Sequence, residues 1–317
     1  MLIAVAATLV GLAALAWSAD HFVAGASAVA RYAGMAPLLV GMLVIGFGTS
    51  APELVVSAFA AAGGNPELAI GNAFGSNVAN IGLILGITAM VIPIAVHRGV
   101  LRRELPVLIV VTVVAWLLMA DGALSRVDAA VLGAILLAQI AWAIVVGRRN
   151  PSDELAREVE ESAAMTRPRA WLSLITGLVL LVLSSRVLVW GAVDIAERLG
   201  WSDLVIGLTV VAIGTSAPEL ASALAAVRRG ENDLALGNVI GSNLFNTLGV
   251  LAVAGLVAPA TVDPEILRRD LPFVLSLTIL LVVFALWPWH RGSISRVEGG
   301  VLFALWLSYT GFLVATA

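Results

Sequence analysis

The chain of 317 residues contains no cysteine, no lysine, two tyrosines and few charges of either sign. Without cysteine there is no disulfide and no thiolate metal cluster, and the redox compartment stays open. Without lysine, all 18 basic residues are arginines whose positions can be followed one by one. No basic stripe interleaved with aromatics is present, which argues against a nucleic-acid partner. No phosphate-binding loop is present either, which argues against ATP-driven pumping. Charged residues make up 12% of the chain and apolar ones 60%, with a mean hydropathy of +1.02. A soluble domain averages about 25% charged and about 45–50% apolar. The composition is that of an integral membrane protein.

Ten apolar stretches follow one another, at 2–22, 37–62, 67–94, 105–120, 127–147, 171–192, 203–227, 233–258, 271–288 and 297–315. Most reach the roughly 20 residues a helix needs to cross a bilayer. Helices are expected because lipid cannot satisfy an exposed backbone. The first stretch lacks the basic flank of a signal peptide and is expected to remain in the chain. The longest polar interval, 148–170, carries Pro151, Pro168 and the acidic run DELAREVEE, and reads as a solvated linker. Most of the tryptophans, Trp171, Trp201, Trp287 and Trp289 among them, fall near stretch ends as interfacial anchors do. His21, His97 and His290 fall there too, and no role is assigned to them.

The linker separates two halves of five stretches each, 1–147 and 171–317, related by a shift of 166 residues (Glu53 to Glu219). GTSAPEL at 48–54 returns at 214–220, and GNAFGSNVAN at 71–80 returns as GNVIGSNLFN at 237–246. An odd number of spans per repeat inverts the second repeat in the membrane. Inverted repeats are a transporter signature, with the substrate site near the midplane on interrupted helices. The expected fold is therefore all-α, ten transmembrane helices in two inverted five-helix repeats. If the N-terminus is outside, thirteen arginines fall in inner loops and four (Arg126, Arg198, Arg268 and Arg269) in outer ones. That satisfies the positive-inside rule and puts the linker inside and both termini outside. Arg186 falls within a span, where Asp20 stands in the first half, and is expected to snorkel or pair locally.

Within each GTSAPE motif the proline cannot donate to the carbonyl four residues back. Pro52 is therefore expected to free the Gly48 oxygen, and Pro218 that of Gly214, at a depth where free backbone oxygen must be buried in protein or line a cavity. Thr49 and Glu53, like Thr215 and Glu219, are four apart and share a helix face. An isolated ionisable group at the bilayer centre costs about 2.5–3.5 kcal/mol on insertion scales. Two glutamates facing one another must take up a proton or share a cation. Asn72, Ser76 and Asn80 form a polar stripe that Asn238, Ser242 and Asn246 copy. Ser76, Asn80, Ser242 and Asn246 are expected to face the cavity, and Asn77 and Asn243, off the stripe, to join helices. All these donors are oxygens, which suit Ca²⁺, Mg²⁺ or Mn²⁺, and Na⁺ as well. Two bidentate glutamates with the carbonyls of Thr49 and Thr215 would supply about six of the roughly 6–8 oxygens Ca²⁺ takes.

The paired GTSAPE and GNxxGSN motifs resemble the calcium/cation antiporter superfamily, in its prokaryotic sodium/calcium exchanger branch, and the resemblance covers nearly the whole chain. It implies that Glu53 and Glu219 hold Ca²⁺ and that the carbonyls of Thr49 and Thr215 complete the shell. It implies a Na⁺ or counter-ion role for Ser50, Ser76, Ser216 and Ser242, and for the carbonyls of Gly46 and Ala212. It also implies that the first and sixth helices slide past the rest to alternate access. One departure stands out. Members with established sodium coupling commonly pair an asparagine in the first repeat with an aspartate in the second, and this chain has Asn80 and Asn246. An asparagine replaces a protonated aspartate well and an ionised one badly, so coupling to Na⁺ or to H⁺ stays open.

The expectation is an antiporter exchanging Ca²⁺, or a similar divalent cation, for Na⁺ in a prokaryotic cytoplasmic membrane, with H⁺ as the alternative counter-ion. Inorganic cations and the bilayer are its only expected partners, with no cofactor and no required protein partner. A cation channel fits less well, because channels more often build their sites as rings from several subunits. A membrane-embedded hydrolase could use two carboxylates as acid and base, but nothing else in the sequence points to one.

Overall fold

A computed structural model describes residues 1–33, 35, 37–64, 66–97, 100–149, 165–199, 216–286 and 292–316. The 201–215 copy of the motif approach, including Ala212 and Thr215, lies outside the described residues. So do most of the linker, Trp201, Trp287, Trp289 and His290.

The described chain is almost entirely helical. Helix α1 is Leu2–Ala33. A helical stretch α2 covers 37–62, with a π-helical segment Gly41–Gly46 between Pro37–Val40 and Phe47–Ala62. Then come α3 (Pro66–Val91), α4 (100–118), α5 (Arg126–Arg149) and α6 (Arg167–Arg198). The described part of α7 is Ala217–Arg228. It is followed by α8 (Asn232–Val257) and α9 (Ile266–Leu286), and by α10 (Arg296–Thr316). Seven of these helices are long and apolar enough to cross a membrane, or eight with the bent α2. Over their most apolar windows α3 and α8 are 78% and 89% buried, whereas the other five are 17–33% buried. The two helices that carry the GNxxGSN motifs thus form the core, inside a ring of helices apolar enough to face lipid.

Two differences from the sequence reading have physical causes. Helix α1 runs eleven residues beyond 22, because AGASAVARYA (24–33) is alanine-rich and contains no proline. His21 therefore sits within a helix rather than near its end, with its Nδ1 3.0 Å from the Trp17 carbonyl oxygen. Helix α2, expected to break at Pro52, stays helical from 37 to 62. Its segments Leu38–Ala51 and Val56–Ala62 meet at 48°. A π-turn inserts a residue without unwinding the chain, so the Gly41–Gly46 segment together with a proline bend accommodates what an open break would otherwise require.

Helices α1 and α6 run side by side through reciprocal glycine contacts. A Cβ on Gly11 would lie 2.7 Å from the Leu188 nitrogen, and one on Gly177 2.5 Å from the Phe22 nitrogen. Gly25 meets Leu174 and Gly191 meets Thr8 in the same exchanged way. Ser18 Oγ lies 3.4 Å from Ser184 Oγ, its own counterpart 166 residues on. Two short antiparallel ribbons tie the halves together. Strand β1 (Ile94–Ala95) pairs with β4 (Ser293–Ile294), and β2 (Ala123–Leu124) with β3 (Ala260–Thr261). Gly122 and Gly292 turn into β2 and β4 at φ +84° and +80°, where a side chain would be strained. Asp20 pairs with Arg229 at 3.7 Å, and Arg186 is exposed.

Candidate cation site

The two GTSAPE motifs reach the core from different directions. In α2, Thr49, Ser50 and Glu53 follow the π-helical segment, which delivers Gly46 beside α8. In α7, Ser216 precedes Ala217–Arg228, so Pro218 falls in the first turn, where its missing N–H costs nothing. The two GNxxGSN motifs enter from α3 and α8, each of which turns π-helical at 79–85 and 245–250. Asn80 and Asn246 lie in those segments, and π-turns inside helices are frequent at functional sites.

The side chains converge. Glu53 and Glu219 are 4% and 2% exposed. The Glu219 carboxyl is within electrostatic reach of Glu53 and of the Thr49 and Ser50 hydroxyls. Thr49, Ser50, Ser76, Asn80, Ser216, Ser242 and Asn246 are all buried. The single Thr49 hydroxyl proton has the Ile45 carbonyl at 3.0 Å and Asn238 Oδ1 at 3.2 Å as alternative acceptors. Ser242 Oγ donates to the Gly46 carbonyl at 3.3 Å, which places that oxygen among the motifs. Asn80 Nδ2 donates to Asn243 Oδ1 at 2.9 Å. Asn77 Nδ2 donates to Thr247 Oγ1 at 2.7 Å. Asn77 and Asn243 thus join helices across the halves, as their position off the stripe suggests.

Among the described residues, five buried oxygens of this group, Ser50 Oγ, Glu53 Oε2, Asn77 Oδ1, Glu219 Oε2 and Asn246 Oδ1, and the donor Asn243 Nδ2 have no hydrogen-bond partner within bonding geometry. Buried polar atoms are nearly always paired, and burying an unpaired carboxylate is expensive. Two carboxylates, a hydroxyl and an amide oxygen left open together make a donor set suited to a hard cation. No cluster of three or more His, Cys, Asp or Glu side chains is found among the described residues, so the set owes much to neutral oxygens.

The two sides of this core are described to different extents. On one, Gly237 and Gly241 of α8 pack against 38–46, with Cβ positions 2.4 Å from the Leu38 and Met42 carbonyl oxygens, and Leu234 is fully buried. On the other, Gly71, Gly75 and Leu68 are exposed among the described residues, and the counterpart of 38–46, residues 204–212, lies outside them. A cavity of about 430 Å³ opens there, with Ser57, Asn72, Ser76 and Ser216 on its polar wall and Trp306 and Tyr309 on the other. It leads from the 62–66 end of α2 and α3 toward the buried serines. Asn238, Thr247 and Ser57 take more part in this network than the sequence reading assigned them. Ser57, four residues after Glu53, was within reach of the same-face rule.

The chain matches the sodium/calcium exchanger protein family over residues 3–145 and 169–315. It is 41% identical to inner membrane protein YrbG of Escherichia coli (strain K12), over 97% of both chains. It is 29% identical to sodium/calcium exchanger MaX1 of Methanosarcina acetivorans, over 96% of both. Its fold superimposes on the solved structure of the sodium–calcium exchanger NCX_Mj, soaked with Na⁺ and Ca²⁺, with a TM-score of 0.83 and 32% identity over 97% of both chains. A membrane-embedded helical core with two buried glutamates, doubled motifs and matches along nearly its full length leave one conclusion: the chain belongs to the sodium/calcium exchanger family of membrane transporters.

Proposed function

We propose that the chain is a secondary antiporter that exchanges Ca²⁺, or a similar divalent cation, for Na⁺. The observation that carries this reading is the pair of buried glutamates within electrostatic reach of one another, each with an oxygen that has no hydrogen-bond partner among the described residues. Glu53 and Glu219 hold Ca²⁺ with the carbonyls of Thr49 and Thr215. Two carboxylates balance one divalent ion, so the dehydrated ion enters without excess charge. Ser50, Ser76, Asn80, Ser216, Ser242 and Asn246, with the carbonyls of Gly46 and Ala212, hold Na⁺ or another counter-ion. Both kinds of ion need the two glutamates and exclude one another. Antiport follows if the empty, doubly charged cage reorients poorly. The ions are substrates, and the reading requires no cofactor, enzyme chemistry or protein partner.

The architecture belongs to the same reading: ten spans in two inverted five-helix repeats, 1–147 and 171–317, joined by a cytoplasmic linker at 148–170, with both termini outside. The reciprocal contacts of Gly11 and Gly177 and of Gly25 and Gly191, and the pairing of Ser18 with Ser184, support an inverted relation between α1 and α6. The arginine distribution supports the orientation. In that orientation the cavity opens outward.

Asn246, whose Oδ1 is unpartnered, favours a second reading in one respect. Without a carboxylate there, the cage has one charge fewer for a monovalent counter-ion, and H⁺ carried by Glu53 and Glu219 becomes the alternative. The site assignment is tested by Glu53→Gln and Glu219→Gln. Each should abolish Ca²⁺ exchange in proteoliposomes while inserting and purifying like the parent. Normal exchange by either variant would end the assignment.

A further inference from the structure

Asn77 of α3 and Asn243 of α8 are counterparts 166 residues apart, and both are almost fully buried. Their surroundings are exchanged in the same way. Residues 79–85 pack against Ala217–Arg228 and Asn232–Leu244, and residues 245–250 pack against Phe47–Ala62 and Pro66–Val78. Asn80 therefore lies in a segment against the helix of Glu219, and Asn246 in one against the helix of Glu53. Every element of this arrangement is among the described residues.

The hydrogen bonds break this symmetry. Asn80 Nδ2 donates to Asn243 Oδ1 at 2.9 Å. The mirrored bond would run from Asn246 Nδ2 to Asn77 Oδ1, and among the described residues Asn77 Oδ1 has no partner. Asn77 Nδ2 donates instead to Thr247 Oγ1 at 2.7 Å. The sequence supplies the reason. The counterpart of Thr247 is Ile81, fully buried and without a hydroxyl, so no such acceptor competes for Asn243. A carboxamide ligates a cation through its oxygen and repels it through its N–H groups. With Nδ2 engaged by Asn243, the Asn80 oxygen is the end left for the cage.

We propose that Asn243 is a positioning residue for the counter-ion. It holds the Asn80 amide nitrogen so that the amide oxygen faces the cage, a duty from which Thr247 withdraws Asn77. The inference rests on the cage proposed above and gives its two amides different roles. Asn80 is a pre-oriented ligand, whereas Asn246 has to be oriented by the ion it binds. A ligand oriented in advance costs less to engage, so the Na⁺ affinity depends on Asn243. Ca²⁺, held by the two glutamates and the threonine carbonyls, does not need the Asn80 oxygen. The same substitution at the two counterparts therefore has unlike effects.

The test reads the rise in thermal unfolding midpoint that Na⁺ or Ca²⁺ causes in the purified full-length protein, with ionic strength held constant by choline chloride. An ion that binds only the folded protein stabilises it by an amount set by its affinity. Asn243→Leu should need about fivefold more Na⁺ than the parent for the same rise, the effect of losing one hydrogen bond, with the Ca²⁺ response unchanged. Asn77→Leu, at an equally buried position, should respond to both ions as the parent does. Asn243→Ser and Asn77→Ser repeat the comparison with side chains too short to reach across, in case leucine is not tolerated. A merely structural role would lower the midpoint without separating the two ions. Equal Na⁺ responses in Asn243→Leu and Asn77→Leu, a stronger Na⁺ response in Asn243→Leu, or a parallel loss of the Ca²⁺ response would overturn the proposal. Glu53→Gln separates this failure from that of the cage, because it should weaken both responses. If it weakened neither, the cage assignment would fail and the positioning role with it.

Discussion

At the scale of single residues, the proposed site rests on buried oxygen atoms that have no hydrogen-bond partner among the described residues. Asn246 tests how the charge of the cage sets its counter-ion. Asn246→Asp adds a carboxyl where Oδ1 now has no partner. An ionised carboxylate there would attract a monovalent cation at short range, so the Na⁺ concentration for half-maximal exchange should fall severalfold while folding is retained. If the added group instead carried a proton, exchange would become more sensitive to pH. Na⁺ titration at two pH values separates these outcomes, and unchanged dependence on both ions would make the position irrelevant. Most of these residues were legible in the sequence, because a doubled GTSAPE in an apolar segment has no ordinary structural explanation. Asn238 was legible as part of a stripe but not as a bridge. Its partners lie 19 and 189 residues away, and only the packing of α8 on α2 brings them together.

At the scale of elements, apolar periodicity located the helices well and their irregularities poorly. Proline at 52 announced a disturbance, but the π-helical segment Gly41–Gly46 begins eleven residues earlier, in a run whose residues look ordinary. A π-turn arises from how neighbouring helices take up an extra residue, which local propensity does not encode. The extent of α1 was underestimated as well: the apolar stretch runs on to Ala30 and the helix to Ala33. The glycine contacts between α1 and α6 bear directly on stability. A Cβ on Gly25 would lie 2.3 Å from the Leu174 nitrogen, a backbone atom with little freedom to move. Gly25→Ala should therefore destabilise the protein by about 1–3 kcal/mol, the usual cost of overpacking. Gly311, in α10, is exposed and has nothing within 4 Å of its Cβ position. Gly311→Ala should leave stability unchanged or raise it by up to about 1 kcal/mol through helix propensity. Thermal unfolding in detergent would rank the two. Equal midpoints would show that α1 and α6 are not packed as described.

At the scale of the whole molecule, the described residues form a buried pair of motif-bearing helices, α3 and α8, among apolar helices, with a cavity beside α2 and α3. The proposed orientation rests on charge: thirteen arginines against four favour a cytoplasmic linker. Trypsin, which cuts after arginine, should cleave near Arg157 in inside-out vesicles and spare that segment in right-side-out ones. Cleavage only in the right-side-out preparation would invert the topology and turn the cavity inward. The central claim, that two buried glutamates exchange a divalent cation for Na⁺, is tested most directly by uptake of radioactive Ca²⁺ into proteoliposomes loaded with Na⁺, with the membrane potential clamped and pH gradients of either sign imposed. The account predicts uptake that requires the outward Na⁺ gradient and ignores the pH gradient. Uptake that follows the proton gradient and persists without Na⁺ would contradict it and make H⁺ the counter-ion.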